Sequence, residues 1–342
     1  ATVTTPARRH GQNLRVFRIV EETPGVRSVW LEAPVDEALT WQAGQFLTCC
    51  VTVDGVEHRR AYSISSLPGA GGPRLTIKRL EGGVVSARLH EALAVGDSLR
   101  VIGPSGSFVL PEPLPEEAVF VAGGAGITPI RAMIEDLLRR RPRSKVHLIQ
   151  ACRDREHLVF AEELEQLAAR YGNLKMTRVF SLGGEGEGGS GRRLDAESLL
   201  ALLQPHVRDA AFLVCGPQGL MDLVAEVLST HGVDPARLRS ERFLAAPSTQ
   251  QSRPLEAQRI EFTRSGVEVI AQPGQTVLEA ALGAGVRLEY SCQVGGCGHC
   301  RVRVTEGEVA MDEPNCLSEA ERAAGYRLAC QSRACSSLRV EA

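Results

Sequence analysis

The sequence predicts a multidomain protein: an antiparallel β-barrel over residues 10–113, a doubly wound α/β domain over 114–244 and a small α+β domain over 258–342. Three observations predict this division. Short strand patterns fill the first part, strands alternate with helices in the second, and six of the ten cysteines lie within residues 292–342. Proline-rich and small polar segments mark the boundaries, the second being a linker over residues 245–257.

Composition excludes several classes of protein. The 342 residues are 43% hydrophobic and 23% charged, which is ordinary for a globular protein. A net charge of −2 does not predict the basic surface that nucleic-acid-binding proteins use. The sequence has no apolar run near the ~18 residues that span a bilayer, and residues 1–12 lack the apolar core of a secretory signal. We therefore expect a cytoplasmic protein without a membrane span, and a monomer.

The barrel prediction rests on strand patterns separated by turn residues such as Pro24-Gly25 and Asp54-Gly55. Only Ser86–Ala94 has a helical pattern. Many short strands with one helix are typical of a small barrel. The predicted strands are Leu14–Val20, Val26–Leu31, Phe46–Val53, Ala61–Ser65, Arg74–Leu80 and Ser98–Val101.

The second domain alternates strands and helices, which predicts a parallel, doubly wound sheet. Its first helix has apolar residues at helical spacing from Ile130 to Leu138. Thr128 is expected to cap this helix, with Pro129 in the first helical position. The predicted strands are Val119–Ala122, Val146–Ala151, Lys175–Phe180 and Ala211–Cys215, and later helices are expected near Ala161–Arg170, Ala196–Leu203 and Leu220–Thr230.

The third domain has mixed short strands and one clear helix, which begins with the capping box Thr276-Val277-Leu278-Glu279. Its cysteines follow the pattern Cys292-x4-Cys297-x2-Cys300, with Cys330 further on. This is the plant-type [2Fe–2S] spacing, in which a tight loop supplies three thiolates and a distant segment supplies the fourth. Glycines in the loop allow backbone N–H groups to point at sulfur.

Other readings of these cysteines remain open. Zinc more often uses two close cysteine pairs, and free thiols need no regular spacing. A disulfide framework is typical of short secreted chains. A Rieske-type site needs two histidines, so we take His299 as a loop residue.

Two motifs in the barrel suit a flavin nucleotide. In Arg60-Ala61-Tyr62-Ser63, the guanidinium is a fork for pyrophosphate and the tyrosine ring is a face for a flat cofactor. Gly82-Gly83-Val84-Val85-Ser86 opens the predicted helix, where N–H groups attract phosphate. Each motif alone is weak, and an exposed strand with Arg-x-Tyr-Ser is often only surface.

Two loops in the α/β domain suit a dinucleotide. The segment from Val121 to Pro129 is glycine-rich and joins a strand to a helix, and Cys215-Gly216-Pro217 has the same context. A buried core thiol is the alternative reading of Cys215.

Together these motifs resemble the ferredoxin–NADP reductase superfamily, and residues 259–342 resemble plant-type ferredoxins, which implies a β-grasp fold. The resemblance assigns the following roles. The flavin site comprises Arg60, Ala61, Tyr62, Ser63, Ile77, Lys78, Gly82, Gly83, Val85 and Ser86. The nucleotide site comprises Gly124, Gly126, Pro129, Gly216 and Pro217. Thr128 reaches the flavin ring with Ser63, Cys215 lies by the nicotinamide, Phe243 covers the flavin, and Cys292, Cys297, Cys300 and Cys330 hold iron.

The domain order resembles the reductase components of ring- and steroid-hydroxylating oxygenases. It implies that electrons pass from NAD(P)H through FAD and a [2Fe–2S] cluster to a partner oxygenase, hydroxylase or desaturase. The Gly82–Ser86 helix start favours FAD over the FMN of some relatives. Ser181-Leu182 stands where NADPH-using relatives place Ser-Arg, which favours NADH, although Arg192 and Arg193 could reach a 2′-phosphate. A stand-alone quinone reductase (diaphorase) and a redox sensor without turnover are the alternatives.

The segment over residues 306–321 carries six acidic residues and no lysine or arginine. It is either a solvated face or a surface that meets a basic patch on the electron acceptor.

Overall fold

The computed structural model describes residues 11–34, 39–69, 71–182, 193–243, 256–312 and 315–342. Its first domain contains strands β1 (Gln12–Thr23), β2 (Val26–Glu32), β3 (Phe46–Val53), β4 (Val56–Ser63), β5 (Arg74–Lys78) and β6 (Ser98–Ser105), with helix α1 (Val84–Glu91).

These strands form one antiparallel sheet in the order β4-β3-β6-β1-β2-β5, and a bridge between Ile64 and Leu75 closes it into the predicted barrel. Strand β4 begins at Val56, five residues before its predicted start. The reason is a two-residue hairpin: Val53 pairs with Val56, and Asp54 and Gly55 both have positive φ. Because the residues that follow are charged and partly exposed, the first half of β4 lacks an apolar pattern.

The second domain contains strands β7 (Glu117–Gly123), β8 (Lys145–Cys152), β9 (Leu174–Phe180), β10 (Ala211–Cys215) and β11 (Leu238–Glu241). Its helices are α2 (Ile127–Arg140), α3 (Ala161–Arg170), α4 (Ala196–Leu203) and α5 (Gln218–Thr230). The sheet is parallel, in the order β11-β10-β7-β8-β9. Apolar residues of α2 and α3 pack in one core and those of α4 and α5 in another, so the predicted doubly wound fold is confirmed. The strand β11 was not predicted, because it has only four residues and one large apolar side chain.

The third domain contains strands β12 (Gln258–Phe262), β13 (Val267–Ala271), β14 (Arg301–Glu306), β15 (Val309–Met311), β16 (Tyr326–Leu328), β17 (Ser332–Ala334) and β18 (Leu338–Glu341), with helices α6 (Val277–Gly283) and α7 (Glu319–Ala323). A mixed sheet in the order β13-β12-β18-β14-β16 packs against α6, as expected for a β-grasp domain. The capping box at Thr276 and Glu279 is confirmed. The one clear helix of the prediction is α6, and the structure adds the five-residue helix α7, where Ser318 and Glu321 form a second capping box.

The barrel and the α/β domain share a partly buried ion-pair network. The Arg74 guanidinium, 5% exposed, makes two hydrogen bonds to the Glu163 carboxylate, at 2.6 and 3.1 Å. It also lies over the rings of Trp30 and Phe160, and Arg131 joins the same carboxylate. This contact fixes the two domains side by side. None of the helices in the described ranges is long and apolar enough to cross a membrane.

Candidate functional site

The four cysteines of the motif come together at one edge of the third domain. Cys292, Cys297 and Cys300 lie in the loop before β14, and Cys330 follows β16. The Cys300 and Cys330 sulfurs are 3.3 Å apart. The Cys292 backbone N–H lies 3.5 Å from the Cys297 sulfur, and the Val294 N–H lies 3.5 Å from the Cys292 sulfur.

This arrangement fits a two-iron cluster better than a zinc ion. The thiols form two pairs, 292 with 297 and 300 with 330, as a rhomb with two irons requires. No three His, Cys, Asp or Glu side chains among the described residues converge on a single-ion site. A hydrogen bond from Cys297, together with backbone N–H groups that include those of Val294 and Gly296, lowers the pKa of Cys292 to about 6. The same hydrogen bond raises the pKa of Cys297, so the Cys292 sulfur is the one of this pair that first becomes the thiolate that iron binds. His299 is exposed, as expected of a loop residue.

A cavity of about 1090 Å³ lies where the three domains meet. The barrel lines it with Arg60, Ala61 and Ser63, the α/β domain with Glu241 and Phe243, and the cluster loop with residues that include Gln293 and Cys297. The arrangement accommodates a flat ring system beside a cluster. Phe243, expected to cover the flavin, is 44% exposed at the border of this cavity.

Tyr62 faces differently from its neighbours in β4. Its ring is partly buried against the barrel core, and it is absent from the cavity lining. Burial and the neighbouring Cys49 raise the pKa of its hydroxyl, so the ring is neutral. Arg60 donates a hydrogen bond to the Arg59 carbonyl oxygen at 2.6 Å, so one N–H of its guanidinium is already used.

A second depression surrounds the start of α1, lined by residues 79–84 and Ala87. Gly83 is the N-cap and provides no side-chain cap, so the first N–H groups of the helix are open to a phosphate. The Ser86 hydroxyl donates to the Gly83 carbonyl and accepts from the Leu80 N–H, both at 3.1 Å. Ser86 therefore shapes the loop. Val85 and Ile77 are buried in the barrel, and Lys78 is exposed at the end of β5.

The glycine loops of the second domain meet at the carboxyl ends of β7 and β10. Strand order reverses between these two strands, and that crevice is where doubly wound sheets bind ligands. A Cβ on Gly126 would lie 2.0 Å from the Cys215 carbonyl oxygen, and one on Gly216 would lie 2.9 Å from the Gly123 nitrogen. The two loops therefore touch through their backbones, which only glycine permits.

The start of α2 differs from the prediction. Gly126 is its N-cap, so Thr128 and Pro129 are the second and third residues of the helix and not its cap and first residue. The Thr128 hydroxyl donates to the Ala125 carbonyl at 2.9 Å and caps nothing. The preceding turn, Gly124–Gly126, is a 3₁₀ segment that begins the helix early.

Sequence reasoning missed the most unusual ionisable group of the site, Glu241. It pairs with Cys215 across β10 and β11. Burial raises the pKa of its carboxyl to about 8, and the facing Ser63 hydroxyl opposes that shift. The two side chains do not form a hydrogen bond, because Glu241 Oε2 and Ser63 Oγ are both buried atoms without a partner among the described residues. Burial, with the Glu241 carboxylate, raises the pKa of Cys215, so its thiol stays neutral. The segment Glu241-Arg242-Phe243 ends the domain, and the sequence prediction assigned the flavin contact to Phe243 instead of Glu241.

Three of the six acidic residues in the segment 306–321 are paired with arginines. Glu306 pairs with Arg339, Asp312 with Arg333 and Glu321 with Arg301. These pairs weaken the idea of a strongly negative docking face, which stays a prediction. Glu313 lies outside the described residues.

Comparison with known proteins identifies the class. An oxidoreductase FAD-binding domain matches residues 14–110, an oxidoreductase NAD-binding domain matches 120–226, and a 2Fe-2S iron-sulfur cluster binding domain matches 260–335. The fold and its three sites thus define an oxidoreductase that binds pyridine nucleotide, FAD and a [2Fe–2S] cluster.

Full-length relatives narrow this class. The glycine betaine monooxygenase reductase subunit of Pseudomonas aeruginosa is 31% identical, over 96% of this chain and 95% of the relative. The 3-ketosteroid-9-alpha-monooxygenase ferredoxin reductase component of Rhodococcus rhodochrous is 33% identical, over 97% of each. The phthalate dioxygenase reductase structure shares the fold, with a TM-score of 0.70 at 24% identity over 97% of this chain and 98% of that one. The chain belongs to the ferredoxin–NADP reductase superfamily, among the three-domain reductase components of oxygenase systems.

Proposed function

We propose that this chain takes electrons from NADH and delivers them, one at a time, to a partner oxygenase, hydroxylase or desaturase. When bound, FAD accepts a hydride and the cluster carries single electrons, which is the exchange such a partner requires. One observation carries the proposal: Glu241, the neighbour of Cys215 at the nucleotide crevice, and Cys297, a cluster ligand, line the same cavity.

The residues at the crevice support this role. Gly126 and Gly216 bring the two loops together where a nicotinamide would enter. Cys215 presents a neutral thiol, and the Glu241 carboxyl holds a proton through the neutral pH range because its pKa is about 8. Neither group places a negative charge beside an incoming hydride donor at neutral pH.

A single cysteine substitution tests whether the flavin and the cluster carry out separate steps. Cys297→Ser is expected to remove the cluster absorbance and electron delivery to a protein acceptor, while NADH still reduces ferricyanide through the flavin. Cys335→Ser is the matched control, because Cys335 is exposed and outside the motif. Loss of flavin from Cys297→Ser would contradict the proposed separation of the sites.

Acceptor choice separates the proposal from a quinone reductase and from a sensor. A reductase component reduces its protein partner faster than small quinones, and a sensor shows no steady-state NADH oxidation. Ring hydroxylases and desaturases remain alternatives to a monooxygenase as the partner.

The preference for NADH over NADPH rests on the end of β9. Ser181 and Leu182 follow Phe180, so this position offers no arginine to a 2′-phosphate. Arg178 is paired with Glu165 at 2.8 Å. Arg193 is exposed, and Arg192 lies outside the described residues. We expect a higher kcat/KM with NADH; a preference for NADPH that Arg192→Ala with Arg193→Ala abolishes would contradict this. Monomeric state and cytoplasmic location stay predictions, which sedimentation and cell fractionation test.

A further inference from the structure

Three polar contacts join the barrel to the cluster loop. The Thr48 hydroxyl donates a hydrogen bond to the carbonyl oxygen of Cys292 at 3.0 Å, in a buried setting. The hydroxyls of Ser105 and Ser291 are 2.5 Å apart and also buried. Arg59 donates to Gln293 Oε1 at 2.5 Å nearer the surface. All three contacts fall on residues 291–293, which contain the first cluster ligand.

The same strands form the wall of the flavin cavity. Thr48 pairs with Ala61 across β3 and β4, and Ala61 lines the cavity. Ser105 pairs with Phe46 across β6 and β3, and Phe46 lines it too. The cavity wall is therefore linked to the backbone of Cys292 through two steps. Ala61 in the wall pairs with Thr48, and Thr48 is hydrogen-bonded to Cys292.

The hydroxyl of Thr48 is the group in these contacts that packing alone does not explain. Its side chain is 0% exposed in the middle of a strand, where valine would pack equally well and need no partner. The hydrogen bond of its side chain crosses to another domain, 244 residues away in sequence. Removing the hydroxyl would leave the Cys292 carbonyl oxygen desolvated without this donor, which is costlier than losing a surface contact. Arg59 is more exposed and contributes less.

We propose that Thr48 is a positioning residue for electron transfer from flavin to cluster: its hydroxyl holds the Cys292 backbone at a fixed distance from the cavity wall. This inference rests on the proposed function. The hydroxyl itself is neither oxidised nor deprotonated. It restrains the loop while one electron leaves the reduced flavin and one enters the oxidised cluster.

The test compares Thr48→Val, which keeps the shape and removes the donor, with Thr48→Ser, which keeps the donor. Thr52→Val is the matched control, since Thr52 lies on the same strand but is exposed. Flavin and iron content are measured first. Each holoenzyme is then mixed anaerobically with NADH, and flavin and cluster absorbance are followed separately. Hydrogen exchange of residues 291–294 and the electron paramagnetic resonance spectrum of the reduced cluster report on the loop.

Thr48→Val should retain both cofactors and its rate of flavin reduction, but its cluster should be reduced about tenfold more slowly. Its loop should exchange faster. Thr48→Ser should recover most of both properties, and Thr52→Val should match the wild type. Wild-type cluster reduction and exchange in a fully loaded Thr48→Val would overturn the inference. Failure of NADH to reduce the flavin in the wild type would instead overturn the proposed function, and the inference with it.

Discussion

Gly126→Ala is the substitution whose consequence the structure defines most sharply. A Cβ at this position would lie 2.0 Å from the Cys215 carbonyl oxygen, 2.3 Å from its carbonyl carbon and 2.8 Å from the Gly216 nitrogen. All three are backbone atoms, so no side chain can rotate away. To reach ordinary contact, the start of α2 and the loop after β10 must separate by roughly 1 Å or more.

This displacement has two expected costs. Overpacking of a tight contact lowers the free energy of unfolding of the α/β domain by about 3 kcal/mol. The loops also form the nucleotide crevice, and a shift of this size at a binding site lowers kcat/KM for NADH by about a hundredfold. Flavin binding in the barrel should persist, because the substitution does not touch it.

Gly219→Ala is the matched control, since no atom lies within 4 Å of a Cβ there. It stands in the first turn of α5, close in sequence to the same crevice. Urea unfolding and steady-state NADH–ferricyanide kinetics measure both variants. A Gly126→Ala protein with wild-type stability and kcat/KM would refute the close approach of the two loops.

Two further predictions concern pH. His147 is buried, and burial, His206 and Lys175 lower its pKa to about 4, so the unfolded chain takes up a proton first as pH falls below about 6.5. Stability should therefore fall by about 3 kcal/mol between pH 6.5 and 4, and His147→Gln should flatten this part of the urea-unfolding profile. Burial raises the pKa of Glu241 to about 8, so its contribution to stability is lost as pH rises from about 4.5 to 8. Glu241→Gln should abolish that loss, and an unchanged profile above pH 5 would contradict the buried carboxyl.

Local patterns predicted the parts of the fold that local physics determines. Helix α3 and helix α4 begin and end where apolar spacing placed them, because each buries one face on the sheet. Cysteine spacing predicted the cluster loop, because a tight loop must place its thiolates within a few residues. The sequence pattern missed the first half of strand β4. That half is charged, and it forms a strand because it pairs with β3 after a two-residue turn.

The site was predictable only as separate motifs. Glu241 is a carboxyl at the end of a four-residue strand, and its burial depends on Ser63 and Cys215, which come from two other segments. The segment Glu241-Arg242-Phe243 marks this position as the end of the domain, but it does not show that the carboxyl is buried. The contact of Thr48 with Cys292 is likewise invisible locally, because it joins two domains. Motif reading therefore finds the ligands of a cofactor more readily than the residues that set distances between cofactors.

Several residues of the candidate site lie at the end of a strand. Cys215 and Glu241 end β10 and β11, Ser63 ends β4, and Ser105 ends β6. Strand ends are held by the sheet on one side and open to a neighbouring domain on the other, so small polar side chains there can be aimed precisely at a partner. A chain that must place nucleotide, flavin and cluster in series gains from putting each at such an edge. The cavity between the three domains lies at such strand ends, since Ser63 and Glu241 both line it.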